Sequence, residues 1–323
     1  MKQNIKSNPD IFAVAPGVWG MKDVFVNFYM VQDSSTNNWV LIDTGLKWSV
    51  GKIKGMASML FGENPPSCIV LTHGHFDHVG SVKRLADLWN VPVYAHYLEM
   101  PYLTGKSSYP PPDSTVEGGM MAKMSFAYPK GPIDLKERVH TLPDNGQVPG
   151  LPEWRFFHTP GHAPGHISLY RESDGVLLAG DAVVTTKAES ALSVMMQTKK
   201  LSGPPKYFTP DWQSAAWSVE QLAALEPEVL ATGHGRPMSG EKMRNSLHNL
   251  AKTFHRTAVP IQGRYTYEPA LTDESGIVYV PPRAPYSTAS VVKVLGVAAT
   301  VLITLMLFSS QQKQIKKYKA SYR

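Results

Sequence analysis

The chain has 323 residues, 43% of them apolar, a composition that supports one large or two ordinary folded domains and excludes an intrinsically disordered protein. Its formal net charge of +6 comes from the last 35 residues, which contain six basic side chains and no acidic one. The other 288 residues carry 26 basic and 26 acidic side chains, which argues against a protein that binds nucleic acid.

The N-terminal third predicts strands followed by alternating helices and strands. The segments IFAVAPGVW, VFVNFYMV and WVLIDTG are β-branched or aromatic runs separated by turn-forming residues, which is typical of strands. Residues 49–61 and 79–90 show helical spacing of apolar side chains. Between them, the apolar run CIVLT predicts a buried strand, and VPVYAH predicts the next one. The single cysteine, Cys68, lies in CIVLT and is expected to be a small buried hydrophobic residue.

Residues 97–135 change in character, because they are rich in proline, glycine and methionine and have little periodicity. A long irregular insertion in a compact domain is usually a functional loop or a disordered one. We expect this insertion to be a lid over a site. Its apolar side chains would line a substrate pocket or pack within the lid itself, and they are Met120, Met121, Met124 and Phe126.

The second half of the chain repeats the order of strands followed by helices. Strands are predicted in EWRFFHT and in HISLYRESDGVLLAGD, where the turn ESDG connects two strands of a hairpin. Residues 211–226 predict a helix, EVLATGHG a short strand with its loop, and residues 239–256 a further helix. The two blocks are consistent with two halves of one sandwich.

The C-terminal region predicts a linker and a membrane anchor. Residues 257–288 are Pro-rich and nonperiodic, as in a linker, and residues 309–323 form a basic tail. Residues 289–308 are 20 mainly apolar residues with one charge, enough at about 1.5 Å per residue to cross a hydrocarbon core of roughly 30 Å. We therefore predict a single-pass transmembrane helix. The N-terminus lacks a signal-peptide pattern, so we expect the folded body at the cytoplasmic face of the membrane.

Residue types that bind metals are concentrated in the stretch THGHFDHVG. Its candidate ligands are His73, His75, Asp77 and His78, and they follow a predicted strand and precede a predicted helix. Imidazole nitrogens and carboxylates suit Zn²⁺, or a related cation such as Fe or Mn. The neighbours Asp77 and His78 point away from the direction shared by His73 and His75, so the spacing predicts two metal ions.

Two metal ions require further ligands, and suitable residues lie beside glycine in the second half of the chain. His162 lies in HTPGHAPGH, Asp181 in LLAGD, and His234 in ATGHG. The last two directly follow predicted strands. His158 and His166 flank His162, and we expect both to be structural.

The motifs LIDTG, THGHFDH, HTPGH, GD and GHG, in this order over roughly residues 11–255, resemble those of the metallo-β-lactamase-fold hydrolases. The resemblance implies an α/β fold, a four-layer αββα sandwich that forms a catalytic domain over residues 1–256. With the predicted anchor, the expected fold class is this sandwich followed by a C-terminal transmembrane helix.

The resemblance also implies a ligand set for each metal ion. One ion would be held by His73, His75 and His162, and the second by Asp77, His78 and His234. Asp181 would bridge both ions. In addition, Asp43 of LIDTG would orient the site through hydrogen bonds.

A bridging aspartate is more similar to glyoxalase II and the lactonases of this superfamily than to true β-lactamases. The prediction is therefore a dinuclear hydrolase that cleaves an ester, thioester or lactone of a small molecule through a metal-bridging hydroxide. The expected cofactors are two zinc ions, with iron or manganese as alternatives. Asp77 is the predicted catalytic residue, because its carboxylate could accept a hydrogen bond from the nucleophile and help to move its proton.

Three alternatives remain. A mononuclear iron sulfur dioxygenase acting on persulfides would use His73, His75 and His162 with an aspartate. A β-lactamase is less favoured because of Asp181. A noncatalytic, membrane-tethered binding module is also less favoured, because unused buried ligands destabilise a fold. The single helix at residues 239–256 replaces the basic helical domain of glyoxalase II, which argues against glutathione thioesters.

Overall fold

The computed structural model describes residues 8–283, in which a seven-stranded sheet faces a six-stranded sheet and helices cover both outer faces. The strands of the first sheet lie side by side in chain order: β1 (Ile11–Ala15), β2 (Val18–Asp23), β3 (Val26–Gln32), β4 (Trp39–Ile42), β5 (Cys68–Val70), β6 (Val93–Ala95) and β7 (Val139–Thr141). The first four strands are antiparallel, and β4 to β7 are parallel.

In the second sheet, too, neighbouring strands follow one another in chain order. Its strands are β8 (Gln147–Val148), β9 (Leu151–His158), β10 (Ile167–Arg171), β11 (Val176–Leu178), β12 (Val229–Ala231) and β13 (Met238–Ser239). Only β11 and β12 pair in parallel, and the other neighbours in this sheet are antiparallel. The predicted turn ESDG joins β10 to β11.

Seven α-helices lie within residues 8–283. They are α1 (Val50–Phe61), α2 (Val82–Trp89), α3 (Met100–Leu103), α4 (Met120–Met124), α5 (Ala191–Met196), α6 (Trp212–Ala224) and α7 (Glu241–Thr257). The predicted helices at 49–61, 79–90, 211–226 and 239–256 correspond to α1, α2, α6 and α7.

The alternation of side chains along each strand divides the core into three apolar layers. On β4, Leu41 packs outward with α1 and α2, whereas Val40 and Ile42 pack inward between the sheets. On β11, Leu178 packs inward and Leu177 packs outward with α6 and α7. Helix, sheet, sheet and helix therefore form four layers, as expected for the sandwich.

Cys68 on β5 is buried in the layer between the sheets, and its thiol lies 3.3 Å from the carbonyl oxygen of Pro149. Burial raises the pKa of this thiol to about 12. The cysteine is therefore a packed, protonated side chain, as expected from its apolar neighbours.

The fold and location predicted for the C-terminal region need correction. No helix among residues 8–283 is long and apolar enough to cross a membrane. The predicted span at 289–308 and the basic tail at 309–323 lie outside the described residues. The predictions of a fold class that ends in a transmembrane helix and of an anchored body at the cytoplasmic face are therefore wrong as stated. The described residues form the sandwich.

Two segments expected to be irregular are packed against the sandwich. The insertion 97–135 contains α3, α4 and short 3₁₀ turns, and it buries Tyr102 and Tyr109. The described part of the expected linker forms a hairpin, β14 (Leu271–Asp273) and β15 (Gly276–Tyr279), and belongs to the same compact unit, which extends to Pro282. Single buried side chains hold these segments against the sandwich. Because these side chains do not recur at a regular spacing, the sequence pattern did not predict that the segments are packed.

Candidate metal centre

The seven predicted ligands lie together at one end of the sandwich, in loops that follow strands of both sheets. The motif THGHFDH follows β5, and the second half of the chain contributes the loop between β9 and β10 and the loops after β11 and β12. All seven side chains are buried: His73, His75, Asp77, His78, His162, Asp181 and His234. Strand ends of this kind form the usual site of α/β folds, because several loops converge there.

Within the described part of the chain, three groups of these residues could hold a cation. In each group the candidate ligand atoms lie within 4.8 Å of one another. The groups are His73, His75 and His162; Asp77, His78 and His234; and His73, His78 and Asp181. The first two have the same members as the two ligand sets that the family resemblance implies. The third joins one residue of each set through Asp181.

The Asp181 carboxylate lies at the centre of the arrangement. Its Oδ2 atom is 3.5 Å from Nε2 of His162 and 3.0 Å from Nε2 of His234. Its Oδ1 atom is 3.7 Å from Nε2 of His78. Asp181 thus contacts histidines of both sets, as a carboxylate shared by two cations requires.

Hydrogen bonds to the far ring nitrogens orient the histidines. The Nδ1 atom of His78 lies 2.8 Å from Oδ2 of Asp43, and Nδ1 of His234 donates to the carbonyl oxygen of Phe25 at 2.8 Å. Asp43 also accepts hydrogen bonds from the backbone and side chain of Thr72, both at 2.8 Å. These contacts leave the Nε2 atoms of His78 and His234 directed at the site, and they give Asp43 the orienting position expected of it.

Asp43 adopts a left-handed backbone conformation, with φ of +60°, which is rare for residues other than glycine. Strained backbone of this kind is found where the surrounding structure holds a side chain in a required position. Here the strain places one carboxylate between the strand end at Thr72 and the ring of His78.

The donor set fits a divalent cation. Four buried atoms of these residues have no hydrogen-bond partner within residues 8–283: Nε2 of His73, Nε2 of His78, Nδ1 of His162 and Oδ1 of Asp181. Leaving a buried polar atom unpaired costs about 1–3 kcal/mol. His73, His78 and Asp181 form one of the three groups, and their buried nitrogen and carboxylate oxygen atoms without protein partners suit Zn²⁺ and similar ions.

The protonation states of His73, His75 and Asp181 also suit metal binding. Burial and neighbouring histidines lower the pKa of His73 well below its usual value and that of His75 to about 3. Burial opposes ionisation of Asp181, but His234 and His78 hold the pKa of its carboxyl well below the usual range. Neutral imidazoles and an ionised carboxylate are the forms that bind cations.

In the metal-free protein, burial should make stability fall with acid. Burial lowers the pKa of six histidines, namely His73, His75, His96, His158, His162 and His166. For His78 and His234, the effect of nearby carboxylates outweighs that of burial, and the pKa of each imidazole is raised. A histidine with a lowered native pKa stabilises the fold above the unfolded pKa of about 6.5, and this stabilisation is lost as the pH falls.

The carboxyls of Asp77 and Glu99, whose pKa values are raised by burial, oppose this trend together with His78 and His234. Because the six histidines with a lowered pKa outnumber these four groups, we expect chelator-treated protein to unfold at a lower urea concentration at pH 5.5 than at pH 7.5. Each fully buried histidine contributes about 1.4 kcal/mol per pH unit below 6.5. The exposed His248 provides the control: His248→Gln should show the same pH dependence as the wild type. A urea midpoint that stays constant or rises on acidification would contradict the expectation.

His158 and His166 belong to none of the three groups formed within the described residues. The Nε2 atom of His166 accepts a hydrogen bond from the backbone N–H of Asp181 at 2.9 Å, and Nε2 of His158 donates to the carbonyl oxygen of Pro164 at 2.8 Å. Their contacts are with the protein, in agreement with the structural role expected for them.

Sequence reasoning missed an aromatic wall beside the ligands. Phe208 stacks on His75 with ring centroids 4.6 Å apart, and Phe25 stacks on His234 at 6.2 Å. From the insertion, Tyr128 packs against Phe76 and Phe208. These residues have no shared spacing, and only the fold brings them together.

The residues expected to line a pocket in the insertion have different environments. Met121 packs in the apolar cluster around Phe208, and the hydroxyl of Tyr128 lies 3.6 Å from its sulfur. Met120, Met124 and Phe126 are instead exposed. A groove elsewhere on the domain, lined by Gln32, Glu153 and Arg171 among others, shares no residue with the metal centre.

Comparisons with known proteins agree with this geometry. A family profile described as the metallo-beta-lactamase superfamily matches residues 21–234. Over 242 residues the chain is 48% identical to the probable metallo-hydrolase YflN of Bacillus subtilis (strain 168), covering 74% of this chain and 92% of the relative.

Solved structures share the fold, and two of them illustrate it. One is an archaeal metallo-beta-lactamase superfamily protein from Sulfolobus tokodaii, with 19% identity and a TM-score of 0.51 over 76% of this chain and 88% of that one. The other is a B3 metallo-beta-lactamase with an active-site glutamic acid, with 18% identity and a TM-score of 0.52 over 78% and 91%.

Proposed function

We propose a specific function for this chain, which belongs to the metallo-beta-lactamase superfamily and is a metal-dependent hydrolase. In this proposal it binds two divalent cations, with zinc the first candidate, and cleaves an ester, thioester or lactone of a small molecule. One observation carries the dinuclear part of the proposal. The Asp181 carboxylate lies between the His73, His75, His162 group and the Asp77, His78, His234 group and approaches histidines of both.

The ligand roles follow from these two groups. His73, His75 and His162 would hold one cation, and Asp77, His78 and His234 the other, with Asp181 shared between them. When bound, such a pair lowers the pKa of a water molecule toward neutrality and polarises the carbonyl group under attack.

Asp77 is the side chain that we propose for proton transfer. Its carboxylate is buried, and its Oδ2 atom lies 3.6 Å from Nε2 of His234. Burial raises the pKa of Asp77 although His78 and His234 oppose the shift. A carboxylate at this position can accept a hydrogen bond from the attacking water, take up its proton and pass it to the leaving group.

The aromatic wall supports a substrate with an apolar part. Phe208, Phe76 and Tyr128 form one side of the site next to His75 and Asp77. Ligand pockets commonly bind the carbon skeleton of a substrate on such rings and use a few polar groups for orientation. Acyl chains and lactone rings have this character.

The experiment that tests the proposal is elemental analysis of the full chain, purified without chelator, followed by rate measurements on esters, thioesters and lactones. We expect about two divalent ions per chain and turnover of at least one of these classes. About one iron per chain, with oxygen consumption on a persulfide, would support the sulfur dioxygenase alternative instead. Protein that binds no metal even after reconstitution would contradict the proposed ligand set.

A further inference from the structure

Glu99 is a fully buried carboxylate that contacts both loops carrying the His73, His75, His162 group. Its Oε2 atom accepts a hydrogen bond from the backbone N–H of Gly74 at 2.8 Å. Its Oε1 atom accepts one from the backbone N–H of Gly165 at 2.7 Å. The hydroxyl of Tyr109, in the insertion, also donates to Oε2. One carboxylate therefore joins three chain segments.

The two glycines belong to the two ligand loops. Gly74 lies between His73 and His75, and Gly165 lies three residues after His162. His75 and His162 are 87 positions apart in the chain, and each sheet supplies one of the loops. Glu99 belongs to neither loop, because it follows β6 in a 3₁₀ turn (Tyr97–Glu99).

The Gly165 loop packs so closely against Glu99, and the Gly74 loop against Tyr109, that a side chain would not fit at either glycine. A Cβ atom on Gly165 would lie 2.8 Å from Cγ of Glu99, and one on Gly74 would lie 2.6 Å from the hydroxyl oxygen of Tyr109. The contacts of the carboxylate with backbone N–H groups therefore depend on glycine at both positions.

We propose that Glu99 is a positioning residue that sets the separation of the His73–His75 loop and the His162 loop, and thereby the cation affinity of the His73, His75, His162 group. This inference rests on the proposed function in one respect, namely that this group holds a cation. Residues that orient metal ligands through hydrogen bonds typically change metal affinity by 10–100-fold when they are replaced.

A general packing role would have a different signature. If Glu99 only stabilised the fold, its loss would weaken both ligand groups alike. The second group has its own supports, since Asp43 holds His78 and the carbonyl oxygen of Phe25 holds His234. Selective weakening of the first group therefore separates positioning from packing.

The test measures Zn²⁺ affinity by competition with a chromophoric chelator in two full-chain backgrounds. His234→Gln leaves the first group intact, and His162→Gln leaves the second. Measurements at pH 8 keep Glu99 ionised, because burial raises its pKa to about 7. In the first background, Glu99→Gln should weaken binding by about 10–100-fold, since an amide has one acceptor oxygen for two backbone donors. In the second, the change should stay within about threefold.

Two further variants make the test specific. Tyr109→Phe removes a hydroxyl that donates to Glu99 and accepts a hydrogen bond from the backbone N–H of Gly74 at 2.8 Å. Because both loop contacts of Glu99 remain, this variant should weaken the first group less than Glu99→Gln does. Gly165→Ala pushes against Glu99 without changing it and should reproduce the selective loss, which covers the case that Glu99→Gln does not fold. Near-UV circular dichroism of each metal-free variant verifies the fold.

The outcomes are distinct. Equal weakening in both backgrounds, or an unchanged first group, would overturn the positioning role. Wild-type protein that binds a single ion would overturn the dinuclear proposal alone. The effect of Glu99→Gln on the affinity of the first group would still decide the positioning role. Wild-type protein that binds no ion would overturn both.

Discussion

Replacement of Asp181 by asparagine is expected to lower kcat/KM by about 10³-fold and to reduce the bound metal to about one ion per chain or less. Asparagine has nearly the same shape, but it is neutral, and its amide nitrogen has no lone pair for a cation. Asp181 approaches His78, His162 and His234. The loss corresponds to about 4 kcal/mol, the several kcal/mol that a cation contributes to transition-state charge.

Elemental analysis and initial rates check this expectation. The matched control is Asp87→Asn, which removes a carboxylate on the surface of α2 that pairs with Arg138 at 2.7 Å. A surface ion pair contributes only about 0–1 kcal/mol, so the control should bind metal and turn over substrate as the wild type does. Wild-type metal content and turnover in Asp181→Asn would show that the residue is not shared between two ions.

Replacement of Gly233 by alanine, which adds a single methyl group, is also expected to cause a large loss of activity. The Cβ atom of an alanine there would lie 2.0 Å from Oδ1 of Asp181 and 2.8 Å from Cε1 of His78. Both neighbours are buried, so neither can move aside without disturbing the site. Overpacking of this kind destabilises a protein by about 1–3 kcal/mol. We expect Gly233→Ala to lower the urea midpoint and to reduce kcat/KM by about 10²-fold or more.

The control for this variant is Gly55→Ala on α1. A Cβ atom at Gly55 meets no atom within 4 Å, and replacing glycine in a helix stabilises it by about 0.5–1 kcal/mol. Gly55→Ala should raise the urea midpoint and leave kcat/KM unchanged. Full activity of Gly233→Ala would mean that Asp181 can shift without loss of function, which would contradict the central position assigned to it.

The candidate ligands could be predicted from sequence because their signals are local. The motif THGHFDH places four candidate ligands in one loop, and Asp181 and His234 each follow a short apolar strand. The fold then brings these strand ends to one edge, as parallel pairing of β4 with β5 and of β11 with β12 requires. Residue type and position relative to a strand suggested the candidates, and the family resemblance implied their division into two sets.

Glu99 and Phe208 could not be predicted in this way. Glu99 is an isolated acidic residue after β6, and its role depends on two glycine loops that approach it from distant parts of the chain. Phe208 lies in a segment without periodicity and reaches His75 only in the folded protein. The same reason accounts for the segment after α7, where Tyr265 and Ala270 are buried although the sequence suggests a linker.

The origin of the ligands in both sheets has a kinetic consequence. His75 and His162 come from different halves of the chain, and so do Asp77 and His234, so neither group exists until the two sheets have docked. A cation that binds only the docked state stabilises it by mass action. It would stabilise less any transition state in which the sheets are still apart, so most of its effect would fall on the unfolding rate. The bound ion would then slow unfolding and prolong the lifetime of the native protein, without increasing the rate of folding.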